Sequence, residues 1–139
     1  MKKKIILSFG ITIGILVVIL WTASSFMLQF SLSPANRGKD LDGSWAYMFE
    51  NYPELKGWKD SLVQADALKD TFIYAPDNAR LHAYYVAAPS PTSKTAVIVH
   101  GYTDNAIRMM MIGYLYNKSL GYNILLPDLR YSGLSDGEA

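Results

Sequence analysis

The 139-residue chain has no cysteine and only two histidines, His82 and His100. Without cysteine it forms no disulfide, has no thiolate nucleophile and offers no sulfur ligand to a metal. No group of His, Asp and Glu has the spacing of metal ligands, so neither a metal nor another cofactor is predicted. The net charge is only +1 and no basic patch stands out, so no nucleic-acid partner is predicted.

Charged residues are also missing from Ile5 to Asn36, and Ile5 to Leu28 is almost wholly apolar. As a helix this stretch would be roughly 36 Å long, against about 30 Å for the hydrocarbon core of a bilayer. Lys2–Lys4 precede it, which favours a cytoplasmic N-terminus with the remainder outside. We therefore predict a signal-anchor transmembrane helix over residues 1–30. The remainder is then extracytoplasmic, in the periplasm or at the cell surface, with the membrane as a partner.

A cleaved signal peptide is the alternative interpretation of this segment. Ala23 and Ser25 are small enough to precede a cleavage site. However, the apolar stretch is longer than the usual h-region of about 7–15 residues, and apolar side chains continue as far as Phe30. The length therefore favours an uncleaved anchor.

Residues 31–66 are predicted to be a tether followed by two short helices. Pro34 and Gly38 favour an irregular polar segment first. One apolar stripe then has the spacing of a helix face, and Pro53 suits the start of a second helix. The stripes consist of Trp45, Met48, Phe49 and Tyr52, and then of Leu55, Trp58 and Leu62. We expect them to pack on a sheet; the alternative is a lid or a membrane-facing surface.

The remaining residues, from 67 onward, have the pattern of an α/β fold. Two strand-like runs, Thr71–Tyr74 and Leu81–Ala87, are joined by turn-forming residues and predict a β-hairpin. Thr95–Val99 is a continuous apolar, β-branched run, which predicts a parallel strand covered on both faces. A helix and a further strand, Tyr122–Leu126, complete a βαβ unit.

The crossover helix of that unit has clear ends and one apolar face. Asp104 or Asn105 is predicted to cap its start, and Lys118 and Gly121 mark its end. Its apolar residues recur at the spacing of a helix that lies on a sheet. They are Ile107, Met110, Met111, Tyr114 and Leu115.

Two loops follow the buried strands of the βαβ unit. The first loop, residues 100–104, begins with His100, Gly101 and Tyr102. A tight turn with glycine at the end of a buried strand aims the next backbone N–H into a cleft, which is how oxyanion holes are built. The N–H of Tyr102 is therefore a candidate oxyanion donor. The alternative is an ordinary strand-to-helix turn.

The second loop, residues 128–137, contains Asp128 and Arg130 and then Gly133, Ser135 and Gly137. Taken together, the two loops resemble the early half of the α/β-hydrolase family. That family has an oxyanion-hole loop after its third strand, commonly after a His-Gly pair. Its fourth strand is usually followed by Asp-x-Arg-Gly-x-Gly-x-Ser-x-Gly. Here Tyr131 and Ser132 stand where Gly-His is more common, which reduces the backbone freedom of the loop.

The resemblance covers roughly Thr71 to Gly137 and implies acyl hydrolysis, of an ester or amide in a small molecule or peptide. The resemblance is also compatible with relatives that use an aspartate as the nucleophile. The family's nucleophile, acid and catalytic histidine come later than these motifs, so residues 67–139 are interpreted as an incomplete α/β-hydrolase domain. Asp128 and Arg130 are expected to pair and hold the second loop. His100 is expected to shape its turn, and His82 to be a surface or packing residue.

Gly133 to Gly137 also matches the nucleophile-elbow pattern Gly-x-Ser-x-Gly. An elbow needs a buried strand that runs directly into the serine and a helix directly after it. Here the strand ends near Pro127, and several polar residues intervene. We therefore interpret Ser135 as a structural residue and not as the nucleophile.

A second class of function remains open, in which the chain is a small membrane-anchored binding or interaction module without catalysis. In the family the third strand lies between the fourth and the fifth. Ala96 to Val99 would therefore leave one strand edge unpaired here, and an open apolar edge invites aggregation. This open edge counts against the module interpretation.

Overall fold

The structure, a computed structural model, describes residues 2–32 and 38–137. The chain divides into two compact units, Met1–Ser33 and Pro34–Ala139. Pro34, on which the predicted tether partly depends, lies outside the described residues. Each unit is described by itself below.

The first unit is a single helix, α1, Lys2–Leu32. Within it, Ile6–Ser31 has 26 residues and a mean hydropathy of 2.4, and none of the segment is buried. The Thr12 hydroxyl donates to the Ser8 carbonyl at 3.0 Å, and Thr22 donates to Val18 at 3.0 Å. Its threonine hydroxyls are thus satisfied within the helix, as an apolar solvent requires. A membrane span remains a prediction, because a signal sequence has the same properties.

The second unit is of mixed α/β class. Two helices come first, α2 at Leu41–Asn51 and α3 at Glu54–Gln64. The strands are β1 at Leu68–Tyr74, β2 at Arg80–Val86, β3 at Thr95–Val97 and β4 at Asn123–Pro127. The crossover helix, residues 106–119, begins as a 3-10 turn at Ala106–Met109, continues as α4 at Met110–Tyr114 and ends in a π turn at Leu115–Ser119.

The four strands form one sheet in the order β1-β2-β4-β3. β1 and β2 are an antiparallel hairpin, with Phe72 opposite His82. β2 and β4 are also antiparallel, whereas β3 and β4 are parallel. The predicted hairpin followed by a βαβ unit is confirmed, and β3 lies beside β4 at the edge of the described sheet.

The apolar stripes of the helices form the core with one face of the sheet. Trp45 contacts the ring of Tyr84 edge-on at 6.4 Å, and Trp58 contacts Tyr114 at 5.4 Å. The stripes therefore pack against other residues of the unit, as expected, although Tyr52 is exposed. The buried residues of this core are Met48, Leu55, Trp58, Leu62, Tyr84, Val86, Ala106, Ile107, Met110, Ile124 and Leu126.

β3 departs from its prediction. Ala96 and Ile98 pack against the core, but Val97 and Val99 are 61% and 53% exposed. Successive residues of a strand point to opposite faces of the sheet. The prediction that both faces are covered is therefore wrong for the described residues: the strand is parallel, with one face packed and one bare.

The crossover helix begins where one of the two predicted caps lies. The side chain of Asn105 accepts a hydrogen bond from the N–H of Arg108, so Asn105 is the N-cap. Gly121 has φ +67° just beyond the end, as a helix C-terminus favours. Ile107 and Met110 of the predicted apolar face are buried, whereas Leu115, at the π turn, is exposed. There Asn117 accepts from the Trp58 indole N–H at 3.3 Å.

Candidate active-site loops

The two loops meet at the carboxyl ends of the parallel strands β3 and β4. The side chain of His100 joins them. His100 is buried, and its Nε2 accepts a hydrogen bond from the Leu129 N–H at 2.9 Å. An accepting nitrogen carries no proton, so the proton lies on Nδ1 and is donated to the Gly101 carbonyl at 2.7 Å. His100 therefore makes the hydrogen bond within its turn that was expected of it and also ties the first loop to the second.

The first loop is open on its outer side. The Asp104 N–H donates to the Gly101 carbonyl at 3.2 Å and closes the turn. A Cβ at Gly101 would meet no neighbouring atom within 4 Å, and Tyr102 is 55% exposed. Space is thus available beside the residues predicted to form an oxyanion hole. The role of the Tyr102 N–H stays a prediction.

The second loop is organised around the buried carboxylate of Asp128. Oδ1 accepts from the Ala106 N–H at 2.7 Å, and Oδ2 accepts from the Leu134 N–H at 3.1 Å. Oδ2 also lies 2.6 Å from Nδ1 of His82. Asp128 thus fixes the start of the crossover helix, its own loop and strand β2 together.

The expected pairing of Asp128 with Arg130 is wrong. The Arg130 guanidinium binds both carboxylate oxygens of Asp77 in the hairpin turn, at 2.7 and 3.1 Å. The hydrogen bond from Arg130 lowers the pKa of Asp77 to about 2. Antiparallel pairing of β2 with β4 brings the hairpin turn beside the loop after β4. Arg130 therefore pairs with Asp77 in that turn and not with Asp128.

His82 is neither on the surface nor merely packed. It is buried, with Nδ1 facing Asp128 and Nε2 lying 3.0 Å from Oδ1 of Asp70. Burial of the ring lowers its pKa, but the hydrogen bonds to Asp128 and then Asp70 outweigh it, so the pKa lies above its ordinary value. Phe72 pairs with His82, which makes Asp70 a diagonal neighbour on the same face of the hairpin. The predicted first strand begins at Thr71, whereas β1 begins at Leu68, so the prediction missed this contact.

Ser135 lies beside His82 and Asp128, but the three do not form a catalytic triad. The Ser135 hydroxyl donates to the Asp128 carbonyl at 2.7 Å and accepts from the His82 N–H at 2.8 Å. A serine nucleophile instead has its hydroxyl hydrogen-bonded to an imidazole nitrogen. Here the hydroxyl is buried between two backbone groups, which supports the interpretation of Ser135 as structural.

Unusual backbone angles keep the second loop close to Asp128. Gly133 has φ +50°, and a Cβ there would overlap the Asp128 carboxylate. Tyr131 has φ +73°, a left-handed conformation that glycine adopts more readily. The residue that replaces the family's usual glycine thus still takes a glycine-like conformation. A Cβ at Gly137 would overlap the Tyr131 ring.

The segment before α2 was predicted to be part of a tether, yet its described end is hydrogen-bonded to Asn105 and to the second loop. The Gly38 carbonyl accepts from the Asn105 side chain at 2.9 Å and from the Gly133 N–H at 3.0 Å. The Lys39 ammonium donates to the Ser135 carbonyl at 2.8 Å. Beside this segment lies a cavity of about 190 Å³, lined in part by Ser44 and Asn105. Within residues 2–32 and 38–137, no group of three or more potential metal ligands lies together.

Known proteins resemble the chain only in part. No family model and no curated protein matches it. Among solved structures, an esterase from Pyrococcus furiosus is 32% identical over 50% of this chain and 27% of its own, with a TM-score of 0.43. In a second crystal form of this esterase, the match covers 52% of this chain and 28% of the esterase, with a TM-score of 0.44. An alpha-beta hydrolase from Vibrio vulnificus is 25% identical over 60% of this chain and 28% of its own, with a TM-score of 0.48. The chain thus spans about a quarter of the length of these proteins.

Proposed function

We propose that this α/β-hydrolase-like chain is the membrane-anchored N-terminal part of an extracytoplasmic hydrolase that cleaves acyl bonds. The reaction would be the transfer of an acyl group from an ester or amide to water, in a small molecule or a peptide. The N–H of Tyr102 would donate a hydrogen bond to the oxyanion of the tetrahedral intermediate. Helix α1 would hold the domain at the membrane.

The observation that carries this proposal is the meeting of the two loops through His100. The hydrogen bond from the Leu129 N–H to His100 fixes the carboxyl end of β3 against the carboxyl end of β4. Ligands of open α/β sheets bind outside the carboxyl ends of their parallel strands. The first loop therefore stands where a substrate would approach, on a rigid support.

The first loop is supported on both sides while its outer side stays open. His100 holds its beginning, and Asp128 holds the N–H of Ala106 just after its end. A donor for an oxyanion acts best when it is fixed in advance, because no reorganisation is then needed during the reaction. This arrangement favours a preorganised donor at Tyr102 over an ordinary turn.

The proposed reaction also needs a nucleophile, an acid and a catalytic histidine, and Ser135, His82 and His100 are poorly suited to these roles. The hydroxyl of Ser135 is occupied by backbone groups. Both nitrogens of His82 face carboxylates, and both nitrogens of His100 face backbone groups. None of the three is available as a nucleophile or general base without breaking the loops. The complete domain would therefore supply the nucleophile, acid and catalytic histidine.

The experiment is an assay of nitrophenyl ester hydrolysis by the complete reading frame that contains these residues. Tyr102→Pro removes the proposed donor, and we expect kcat to fall by about 10²–10³-fold, as for the loss of one oxyanion donor. Tyr102→Phe keeps the N–H and should retain activity. Thr103→Pro introduces the same ring one residue later and controls for distortion of the turn. Equal activity in Tyr102→Pro and the wild type would refute the proposed donor.

A further inference from the structure

A cluster of titratable groups lies outside the proposed site and is not used by the proposed reaction. His82 on β2 lies between Asp70 on β1 and Asp128 after β4, with its ring nitrogens 2.6 Å from Asp128 and 3.0 Å from Asp70. Carboxylates at neutral pH only accept hydrogen bonds, and a neutral imidazole has one N–H to give. Two acceptors therefore require two donors. Both contacts are hydrogen bonds only if His82 is an imidazolium.

The two carboxylates, and not the phenol of Tyr84, balance the charge of His82. Among the described residues, the titratable groups that face it are Asp70 from β1, Asp128 from the second loop and Tyr84 from β2. Burial, and then Asp70 and Asp128, raise the pKa of Tyr84 to about 12, so the phenol stays neutral. The Phe72 ring covers His82 from β1 at 5.2 Å. The cluster thus holds one cation between one buried and one exposed carboxylate.

The buried carboxylate connects this cation to the first loop. Asp128 accepts the N–H of Ala106, the first residue of the crossover helix, and the N–H of Leu134. Its charge is stable in the interior only when it is compensated. Without the second proton on His82, the ring would have one N–H for two carboxylates, and the buried charge of Asp128 would no longer be compensated by a cation.

We propose that His82 is a positioning residue whose proton holds Asp128, and through Asp128 the start of the crossover helix, in the place that supports the first loop. The importance of that place for catalysis rests on the proposed function, but the holding itself does not. His82 would not touch the substrate. It would act on the N–H of Ala106 and on the second loop at Leu134.

Hydrogen exchange measured by mass spectrometry tests this on the full chain in detergent micelles, from about pH 5.5 to about pH 9, with correction for intrinsic exchange. Because the pKa of His82 is raised, protection of Ala106 and Leu134 should be complete below its ordinary range and fall about tenfold as pH rises through the raised pKa. The amide of Tyr122, which donates to Tyr116 away from the cluster, is the internal control and should not follow this transition.

Two variants test whether the proton of His82 holds Asp128 or whether the volume of its side chain is sufficient. His82→Asn places an amide nitrogen near the position of Nδ1, so it keeps a donor for Asp128 and should give partial protection that does not change with pH. His82→Gln places its amide nitrogen near Nε2, towards Asp70, and should lose protection of Ala106 by about tenfold at every pH. The two variants carry nearly the same groups and differ in which carboxylate they reach.

The proposal is overturned if protection of Ala106 is independent of pH in the wild type, or absent throughout. Equal protection in His82→Asn and His82→Gln would overturn it as well. Failure of the proposed function has a different signature: Tyr102→Pro would leave ester hydrolysis unchanged while exchange at Ala106 still followed the proton on His82.

Discussion

The two loops that end β3 and β4 differ in how deeply their residues are buried. In the second loop Asp128, Ser132 and Ser135 are buried, and the carboxylate of Asp128 has three partners. In the first loop Gly101 has open space beside it and Tyr102 is largely exposed. The second loop is therefore a support whose shape is fixed by packing, and the first loop is an exposed part of the surface. Substitutions of the same kind should consequently have unequal effects in the two.

The largest difference should come from the acidic residues. Asp128→Ala would leave the Ala106 N–H and the Leu134 N–H without an acceptor in the interior, and it would remove the buried carboxylate that faces Nδ1 of His82. We expect a loss of about 3–5 kcal/mol in the free energy of unfolding. Urea unfolding of the full chain in detergent, followed by tryptophan emission, measures it. Asp104→Ala in the first loop is the matched control, since its nearest cation is 3.9 Å away, and should stay within about 0.5 kcal/mol.

The glycines should give the next largest difference. Gly133→Ala introduces a Cβ that overlaps the Asp128 carboxylate at a positive φ, and we expect a loss of about 2–3 kcal/mol. Gly101→Ala meets open space and should change stability by less than about 0.5 kcal/mol. The same unfolding assay compares the two. Equal losses would mean that the first loop is as tightly packed as the second.

The smallest effect should appear at Tyr131. Its left-handed backbone costs a non-glycine residue about 1–2 kcal/mol, part of which returns as the greater flexibility of glycine in the unfolded chain. Tyr131→Gly and Tyr131→Ala both remove the ring, so their difference isolates the backbone. We expect Tyr131→Gly to be the more stable by about 1 kcal/mol in thermal unfolding. A Tyr131→Ala chain of equal stability would contradict the strain argued for this position.

Local patterns were sufficient to predict most of the elements. The hairpin, the crossover helix with a cap at Asp104 or Asn105 and the parallel pairing of β3 with β4 follow from periodicity and turn residues. The resemblance of the two loops to one family also required only short motifs. The class of the fold was therefore predictable from the sequence, although the bare face of Val97 was not, because it depends on which elements cover the sheet.

The contacts of the candidate site were less predictable, because they join distant parts of the chain. His82 meets Asp128 only because β2 pairs antiparallel with β4, and Arg130 meets Asp77 for the same reason. Charge patterns along the sequence suggested the neighbouring pair instead. The contacts of Gly38 with Asn105 and with the second loop join residues far apart in the sequence, and no periodic pattern predicts them.

The bond between the Leu129 N–H and His100 has one practical consequence. Both imidazoles of the chain are buried, and every ring nitrogen is engaged. An acylating reagent specific for imidazole, such as diethyl pyrocarbonate, would reach His100 only while the two loops are apart. The rate of modification at His100, followed by mass spectrometry, would then measure how often the two loops separate, and no substrate is needed.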